Sequence, residues 1–253
     1  MNYRTDLAYK DGNIVANNKG NADTRKPLPE LALTDRLSSK AWGDSSQQAL
    51  AKYKLGDHPA INSAISFHKQ MVETAERFKN RRSKQSPKDT QYTHLQKLDM
   101  DYNAALKQHE QRIKAVQVSL LDTQVNAASQ FREKLGFTDR NAPELRERIY
   151  NLDSETRSKV ISQAIEEKDG NILSAVFDAH PMLSGIDKNQ HSAFQAMAMK
   201  RHTPELYELD QQAEKLFQLV SGSFDDLTNI TETMTAKAVL AQYEREITEA
   251  EQY

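Results

Sequence analysis

The feature that most constrains the fold is a long stretch without a helix breaker. No proline lies between Pro87 and Pro143, and Gly136 is the only glycine between them. Buried-type residues recur there at intervals of three or four, the spacing of one helix face: Leu95, Leu98, Tyr102, Ala105, His109, Ile113, Val116, Leu120, Thr123, Ala127, Phe131 and Leu135. The pattern predicts one helix over about residues 91–135, roughly 68 Å long at 1.5 Å per residue, with Gly136 as its stop.

A second long helix is predicted near the C-terminal end of the chain. Thr203-Pro204-Glu205 combines a capping hydroxyl, a proline suited to the first turn and an acid that favours the helix dipole. A heptad follows, formed by Leu206, Leu209, Ala213, Leu216, Val220, Leu227, Ile230 and Met234. Gly222 invites a break, but the heptad crosses it without losing phase. We therefore expect the helix to continue to about residue 249.

Shorter helices surround these two. One opens at Pro59, and capping residues mark a cluster of short helices over about residues 141–202. The sequence therefore predicts an all-α fold: a long antiparallel helical hairpin (about 91–135 and 204–249) with a cluster of short helices.

Residues 1–57 differ from the rest of the chain. They are polar, with almost no apolar periodicity, and are predicted to be an extended N-terminal arm that precedes a helical body over 58–253. A set of leucines in the arm predicts either one short helix or an anchoring strip: Leu28, Leu31, Leu33 and Leu37. Trp42 has little local core and is predicted to anchor the arm in a pocket, on this chain or another.

The charge distribution is uneven. Residues 1–140 carry 23 Lys/Arg against 16 Asp/Glu, whereas residues 141–253 carry 11 against 20. Such an asymmetry favours intramolecular pairing or head-to-tail self-association, although scattered solvated charge explains it equally well. The composition, 38% hydrophobic and 28% charged, suits helices that bury one stripe and solvate the rest.

The sequence offers no pattern typical of an active site. There is no cysteine, no glycine-rich phosphate loop, no GxSxG, and no pair of histidines at the spacing of a helical zinc site. His109 lies on an apolar stripe and is predicted to face the core or a partner. We therefore expect a non-enzymatic protein without a cofactor or metal. With no long apolar stretch and no apolar segment in residues 1–10, we also expect no membrane span and no secretion signal.

One basic segment could contact nucleic acid. Between Glu76 and Asp89 the chain carries six cations and no acid, which would neutralise phosphates: Arg77, Lys79, Arg81, Arg82, Lys84 and Lys88. The alternative is a cation-rich helix end in a solvated loop. No aromatic follows Phe78 in the segment, which argues against stacking on single-stranded bases.

The segment DGNILSAVFDAHPMLSGI, residues 169–186, resembles a pattern in helical virion and morphogenesis proteins of tailed bacteriophages. In that pattern a short apolar helix precedes a Pro/Leu-Ser-Gly-Leu-like turn, and this chain has Ile186 at the last position. The resemblance covers 18 residues and carries no catalytic residue. It implies a protein of the virion or of its assembly, located in the virion or the host cytoplasm.

These features together favour a structural or assembly protein that acts through protein partners, as a homo-oligomer or within a larger assembly. The predicted interface consists of Trp42, Leu206, Leu209, Leu216, Val220, Leu227 and Ile230, the leucine series lying either inside the hairpin or between subunits. A nucleic-acid-associated protein that uses residues 77–88 is the alternative.

Overall fold

The structure of the chain is a computed structural model that describes residues 7–10, 13–16, 25–86, 88–138 and 141–252. Helices dominate these residues, so the predicted all-α class is confirmed. The α-helices are, in chain order, α1 (Asp44–Lys52), α2 (Pro59–Ser83), α3 (Gln91–Leu135), α4 (Ala142–Tyr150), α5 (Ser154–Glu167), α6 (Gly170–Phe177), α7 (Lys188–His202), α8 (Pro204–Asn229), α9 (Thr231–Met234) and α10 (Lys237–Glu251). Short 3-10 helices lie at Asp35–Leu37, Leu55–Asp57 and Pro181–Ser184.

The N-terminal arm contains more regular structure than the sequence predicted. Strands β1 (Leu7–Lys10) and β2 (Asn13–Ala16) pair antiparallel, with Leu7 opposite Ala16. Helix α1 also falls within the predicted arm. The rest of the arm before residue 25 lies outside the described residues.

The chain divides into two compact units that do not follow the expected boundary at residue 57. The first unit comprises Met1–Ser39, Gln70–Gln111 and Ser223–Tyr253, and the second comprises Lys40–Lys69 and Arg112–Gly222. Helices α2, α3 and α8 each contribute residues to both units. Because a chain segment enters each unit more than once, no single cut in the sequence separates them.

The first unit has its own apolar core. It contains Phe78, Leu95, Leu98, Tyr102, Ala105, Met234, Ala236, Val239 and Leu240. Leu28, Leu31 and Leu33 pack against this core from residues 25–34, which hold no helix. Of the two alternatives, the anchoring strip describes these three leucines, whereas Leu37, the fourth of the set, lies in the 3-10 helix Asp35–Leu37.

Asp226 fixes the end of that strip. Its carboxylate accepts hydrogen bonds from Thr34 Oγ1 at 2.5 Å and from Arg36 Nε and Nη2 at 2.9 and 2.8 Å. Burial alone would raise the pKa of Asp226, but the hydrogen bonds from Arg36 and Thr34 outweigh it and hold the pKa below its usual range. Residues 25–37 thus lie on their own chain.

In the second unit, α3 and α8 run antiparallel, as predicted. Gln117 Nε2 donates to Ser221 Oγ at 2.8 Å, and Gln124 Nε2 donates to Glu214 at 3.2 Å. Residues further along α3 therefore meet residues earlier in α8. The core of the short-helix cluster lies at the end of this pair and contains Ala127, Phe131, Leu135, Ile149, Ile161, Ala164, Ile165, Leu173, Val176, Phe177, Ile186, Ala198, Met199 and Leu206.

Helix α3 matches its predicted bounds and ends against the start of α6. Gly136 follows with a positive φ of 70°, the conformation expected of a C-terminal glycine stop. A Cβ at Gly170 would lie 2.5 Å from the carbonyl oxygen of Leu135. Only glycine permits this approach, so the contact fixes where α6 begins.

The second long helix is shorter than predicted. Helix α8 passes through Gly222 without a break, as expected, but ends at Asn229 instead of continuing to residue 249. The hydroxyls of Thr231 and Thr235 donate hydrogen bonds to the backbone carbonyls four residues earlier. Such bonds, and the low helix propensity of β-branched residues, weaken a helix here. Tyr102 donates to the Leu227 carbonyl at 2.8 Å, which satisfies an acceptor at the helix end. The chain then turns, and Ala236 adopts a φ of 51° before α10.

The basic and acidic halves of the sequence pair within the chain. Lys26 contacts Glu246 at 2.6 Å, Arg36 contacts Asp226 at 2.8 Å, and Arg132 contacts Asp178 at 2.8 Å. Each pair joins a residue before 141 to a residue after it. Intramolecular pairing therefore accounts for part of the charge asymmetry.

Candidate functional site

The leucine series predicted as an interface lies in the core of the single chain. In α8, Leu216, Val220 and Leu227 have no exposed surface, and Leu206 and Leu209 are also buried. Ile230 is half-buried and packs against the core of the first unit. The heptad faces inward because it supplies the apolar side of α8, so it gives no reason to place these residues between subunits.

Trp42 is also buried, with 9% of its surface exposed, and lies in the second unit. It is therefore held by this chain, the first of the two alternatives considered for it. Its indole Nε1 is buried without a hydrogen-bond partner in the described part of the chain.

His109 is a core histidine. Its side chain is buried, and Nε2 lies 3.1 Å from the hydroxyl of Thr74 in the first unit. This hydrogen bond gives a buried polar ring the partner it requires. Among the described residues, no group of three or more His, Cys, Asp or Glu side chains is placed to hold a metal ion.

Helix α3 carries an exposed apolar surface that the sequence analysis did not identify. Val118, Leu121 and Val125 are 55%, 46% and 66% exposed. They lie at i, i+3 and i+7 and so share one face of the helix. We call this set the α3 stripe. It lies opposite the buried series that includes Val116, Leu120 and Ala127, because these residues fall about half a helical turn away.

The stripe has the spacing of a coiled-coil seam. Positions 114, 118, 121, 125, 128 and 132 follow intervals of four and three, and the four central ones are Val118, Leu121, Val125 and Ala128. Side chains at this spacing insert between those of a facing helix. Single exposed apolar residues need no explanation, whereas adjacent ones on one face are typical of an interaction surface.

The basic segment at the end of α2 is partly engaged within the chain. Arg81 pairs with Asp101 at 2.6 Å, Arg82 donates to the carbonyl of Pro29, and the Arg77 guanidinium lies 4.8 Å from the centre of the Phe78 ring. The remaining cations are exposed and have no ion-pair partner within residues 25–86, 88–138 and 141–252: Lys79, Lys84 and Lys88. The segment therefore presents three free lysines, not six free cations.

Two cavities are notable, one in each unit. A cavity of about 730 Å³ in the second unit is lined by Tyr150, His180, Met182, Ile186 and His191, among others. Among the described residues, no carboxylate is hydrogen bonded to its two histidines, and His180 Nδ1 accepts from the backbone N–H of Met182 at 3.3 Å. This arrangement does not resemble a general acid–base pair. The other cavity, of about 500 Å³, lies in the first unit and has a basic lining.

None of the helices in the described part of the chain combines the length and the apolar character that a membrane crossing requires.

Comparison with protein-family models, curated proteins and solved structures finds no match for this chain. The resemblance of residues 169–186 to tailed-phage virion proteins stays a prediction. In the structure this segment forms α6, the 3-10 helix Pro181–Ser184 and a turn at Gly185. The function of the whole chain must therefore be inferred from the geometry described above.

Proposed function

We propose that the chain is a non-enzymatic structural or assembly protein, and that the α3 stripe is its contact with a second copy. The observation that supports this is the exposure of Val118, Leu121 and Val125 on one face of α3. The stripe is apolar and regularly spaced, so the same surface on a second copy complements it. Such a contact is isologous, the commonest type in soluble homo-oligomers.

The setting of the stripe supports its role. Gln117 and Gln124 flank the stripe, and each donates a hydrogen bond to a residue of α8. These bonds hold α3 in place against α8. A helix held in this way loses little conformational freedom on association, which favours binding. The short-helix cluster adds exposed apolar side chains, Met182 and Leu183, at a second surface that other components of an assembly would contact.

The resemblance of residues 169–186 extends the proposal to a phage particle, as a component or as an assembly factor. The chain would then act in the virion or in the host cytoplasm. This part of the proposal depends on the resemblance and not on the α3 stripe.

Light scattering coupled to size-exclusion chromatography tests the association. We expect the wild-type chain to give a mass that rises from monomer to dimer with concentration, and Leu121→Ser to remain a monomer. Leu183→Ser is the matched control, since Leu183 is 58% exposed on a different surface. It should associate as the wild type does. A wild-type chain that stays monomeric at high concentration would contradict the proposal.

Nucleic-acid association is the second candidate, favoured by the three exposed lysines Lys79, Lys84 and Lys88. Phosphate contacts release counterions, so their affinity falls as salt rises. Fluorescence anisotropy of a labelled duplex at low and high salt measures this. Binding that is insensitive to salt would exclude the electrostatic mechanism.

A further inference from the structure

The basic cavity of the first unit is built from three separate segments. Arg25, Lys26 and Leu28 come from the arm, residues 82–85 from the end of α2 and the two residues after it, and Gln91, His94 and Leu95 from the first turns of α3. The described lining contains four Lys or Arg side chains and no carboxylate. A concave surface with one sign of charge concentrates the electrostatic field inside it.

The walls of the cavity are held in place by hydrogen bonds. Gln91 accepts from the backbone N–H of Lys26 and donates to the carbonyl of the same residue, both at 2.8 Å. Tyr243 donates its hydroxyl to Gln91 Oε1 at 2.6 Å. Arg82 reaches across to the Pro29 carbonyl. The arm is thus fixed against α3 and α2 before any ligand arrives.

Most of the positive charge in the cavity is not neutralised by the chain. Lys26 contacts Glu246 at 2.6 Å, so its charge is compensated. Arg25, Arg82 and Lys84 have no carboxylate partner among the described residues. Three cations therefore remain around one cavity, which favours an anionic ligand.

Two buried nitrogen atoms of residues in the lining also lack a hydrogen-bond partner among the described residues. They are Nε2 of His94, a residue that is 7% exposed, and Nε of Arg82. Buried polar groups in proteins nearly always have partners, and those without one call for an explanation. Burial lowers the pKa of Arg82, the direction expected when a guanidinium loses water without gaining an anion.

The start of α3 contributes in the same sense. His94 belongs to the first turn of this 45-residue helix, and the aligned peptide dipoles of the helix place partial positive charge at this end. The N-terminal end of a helix alone is a weak site. Here it coincides with three cations that have no carboxylate partner, and with a buried histidine Nε2 that has no hydrogen-bond partner, among the described residues. This combination favours an oxygen anion.

We propose that the basic cavity binds a phosphate group, held by Arg82 and Lys84 with His94 at its inner wall. The cationic and polar side chains of the lining come from three segments of the chain, an arrangement that suits the several oxygens of a phosphate better than the planar pair of a carboxylate. The cavity volume, about 500 Å³, leaves room for an attached ester. The phosphate source is either a free phosphate or phosphomonoester, or the phosphodiester backbone of nucleic acid. The proposal does not depend on the assembly role of the α3 stripe.

Two titrations of the 253-residue chain test the site. Calorimetry measures the binding of inorganic phosphate, and fluorescence anisotropy measures the binding of a labelled single-stranded oligonucleotide. We expect at least one probe to bind, and Lys84→Gln and Arg82→Gln to weaken that probe at least tenfold. Lys107→Gln is the matched control: Lys107 is an exposed lysine of α3 in the same unit and does not line the cavity, so its replacement should change affinity less than twofold. Circular dichroism establishes that each variant is folded, and Arg82→Lys offers a milder change should Arg82→Gln release the arm.

The outcomes separate the two sources. Binding of inorganic phosphate without the oligonucleotide supports the free-phosphate form, and oligonucleotide binding that phosphate displaces supports the phosphodiester form. If Lys107→Gln weakens binding as much as Lys84→Gln does, the contact is diffuse and the cavity is not its site. Binding of neither probe, or of acetate as tightly as phosphate, also overturns the proposal. None of these results affects the association test of the α3 stripe.

Discussion

The loss of stability on truncating a leucine should be large on the buried face of a long helix and small on its exposed face. Leu216 in α8 has no exposed surface, whereas Leu121 in α3 is 46% exposed. Leu216→Ala removes a fully buried side chain and leaves a cavity, which costs about 2–5 kcal/mol of unfolding free energy. Burying a leucine side chain fully contributes roughly 1.5–3 kcal/mol, and Leu121 is only partly buried. Leu121→Ala should therefore lower the unfolding free energy of the monomer by about 1 kcal/mol or less.

Urea unfolding followed by circular dichroism measures both changes. At low protein concentration, Leu216→Ala should lower the midpoint strongly and Leu121→Ala only slightly. At high protein concentration, binding of a second copy to the folded chain should raise the free energy of unfolding of the wild type. Leu121→Ala should lose this increase. Equal losses for both variants at low concentration would refute the assignment of buried and exposed faces.

Three further changes test local parts of the structure. Gly170→Ala should cost about 1–3 kcal/mol because its Cβ would meet a backbone carbonyl, while Gly56→Ala, which has open space around it, should be nearly neutral in the same thermal unfolding assay. Tyr102→Phe should cost about 1 kcal/mol in urea unfolding, since the Leu227 carbonyl then keeps only the longer hydrogen bond from the Thr231 hydroxyl; no loss would contradict a stabilising role for the Tyr102 hydroxyl. Asp226→Asn should destabilise the chain at neutral pH. Because the folded pKa of Asp226 is lowered, the difference from wild type should be full above the unfolded pKa of about 3.9 and should shrink as pH falls from there towards the lower folded pKa, where the folded carboxylate takes up its proton. A difference that stays constant down to low pH would contradict the ionic role of Asp226.

The bounds of a helix could be predicted from the sequence where the spacing of apolar residues and the capping residues agreed. The bounds of α3 follow from its uninterrupted apolar series and from Gly136. Asp153 caps α5 by accepting from two backbone N–H groups, and Asp187 forms a capping box with Gln190 at the start of α7. These signals are local, so they survive without knowledge of the tertiary structure.

The end of α8 could not be read in the same way. Its heptad continues past Asn229, yet the helix ends there. The Leu227 carbonyl near this end accepts from the hydroxyl of Tyr102, a residue 125 positions away in sequence, and from that of Thr231. Such a contact has no signature in the spacing of the apolar residues.

The candidate sites were predicted least well. The heptad of α8 predicts an apolar face but not whether that face meets its own chain or another, and the structure places it in the core. The α3 stripe has a weaker pattern, since only Val118, Leu121, Val125 and Ala128 mark it, and the stronger core series on the opposite face concealed it. The basic cavity joins the arm to α2 and α3, so only the folded chain brings Arg25, Arg82 and His94 to one place.

The central claim is that the α3 stripe meets the same stripe of a second copy, and cysteine crosslinking tests it most directly. The chain has no cysteine, so Val118→Cys, Leu121→Cys and Val125→Cys each introduce a single reporter. Across a two-fold contact, the reporter nearest the axis lies opposite its own copy and should form a disulfide-linked dimer under mild oxidation. Leu183→Cys, on another exposed surface, should remain largely monomeric. If no stripe position crosslinks faster than Leu183→Cys, the stripe is not the contact between copies.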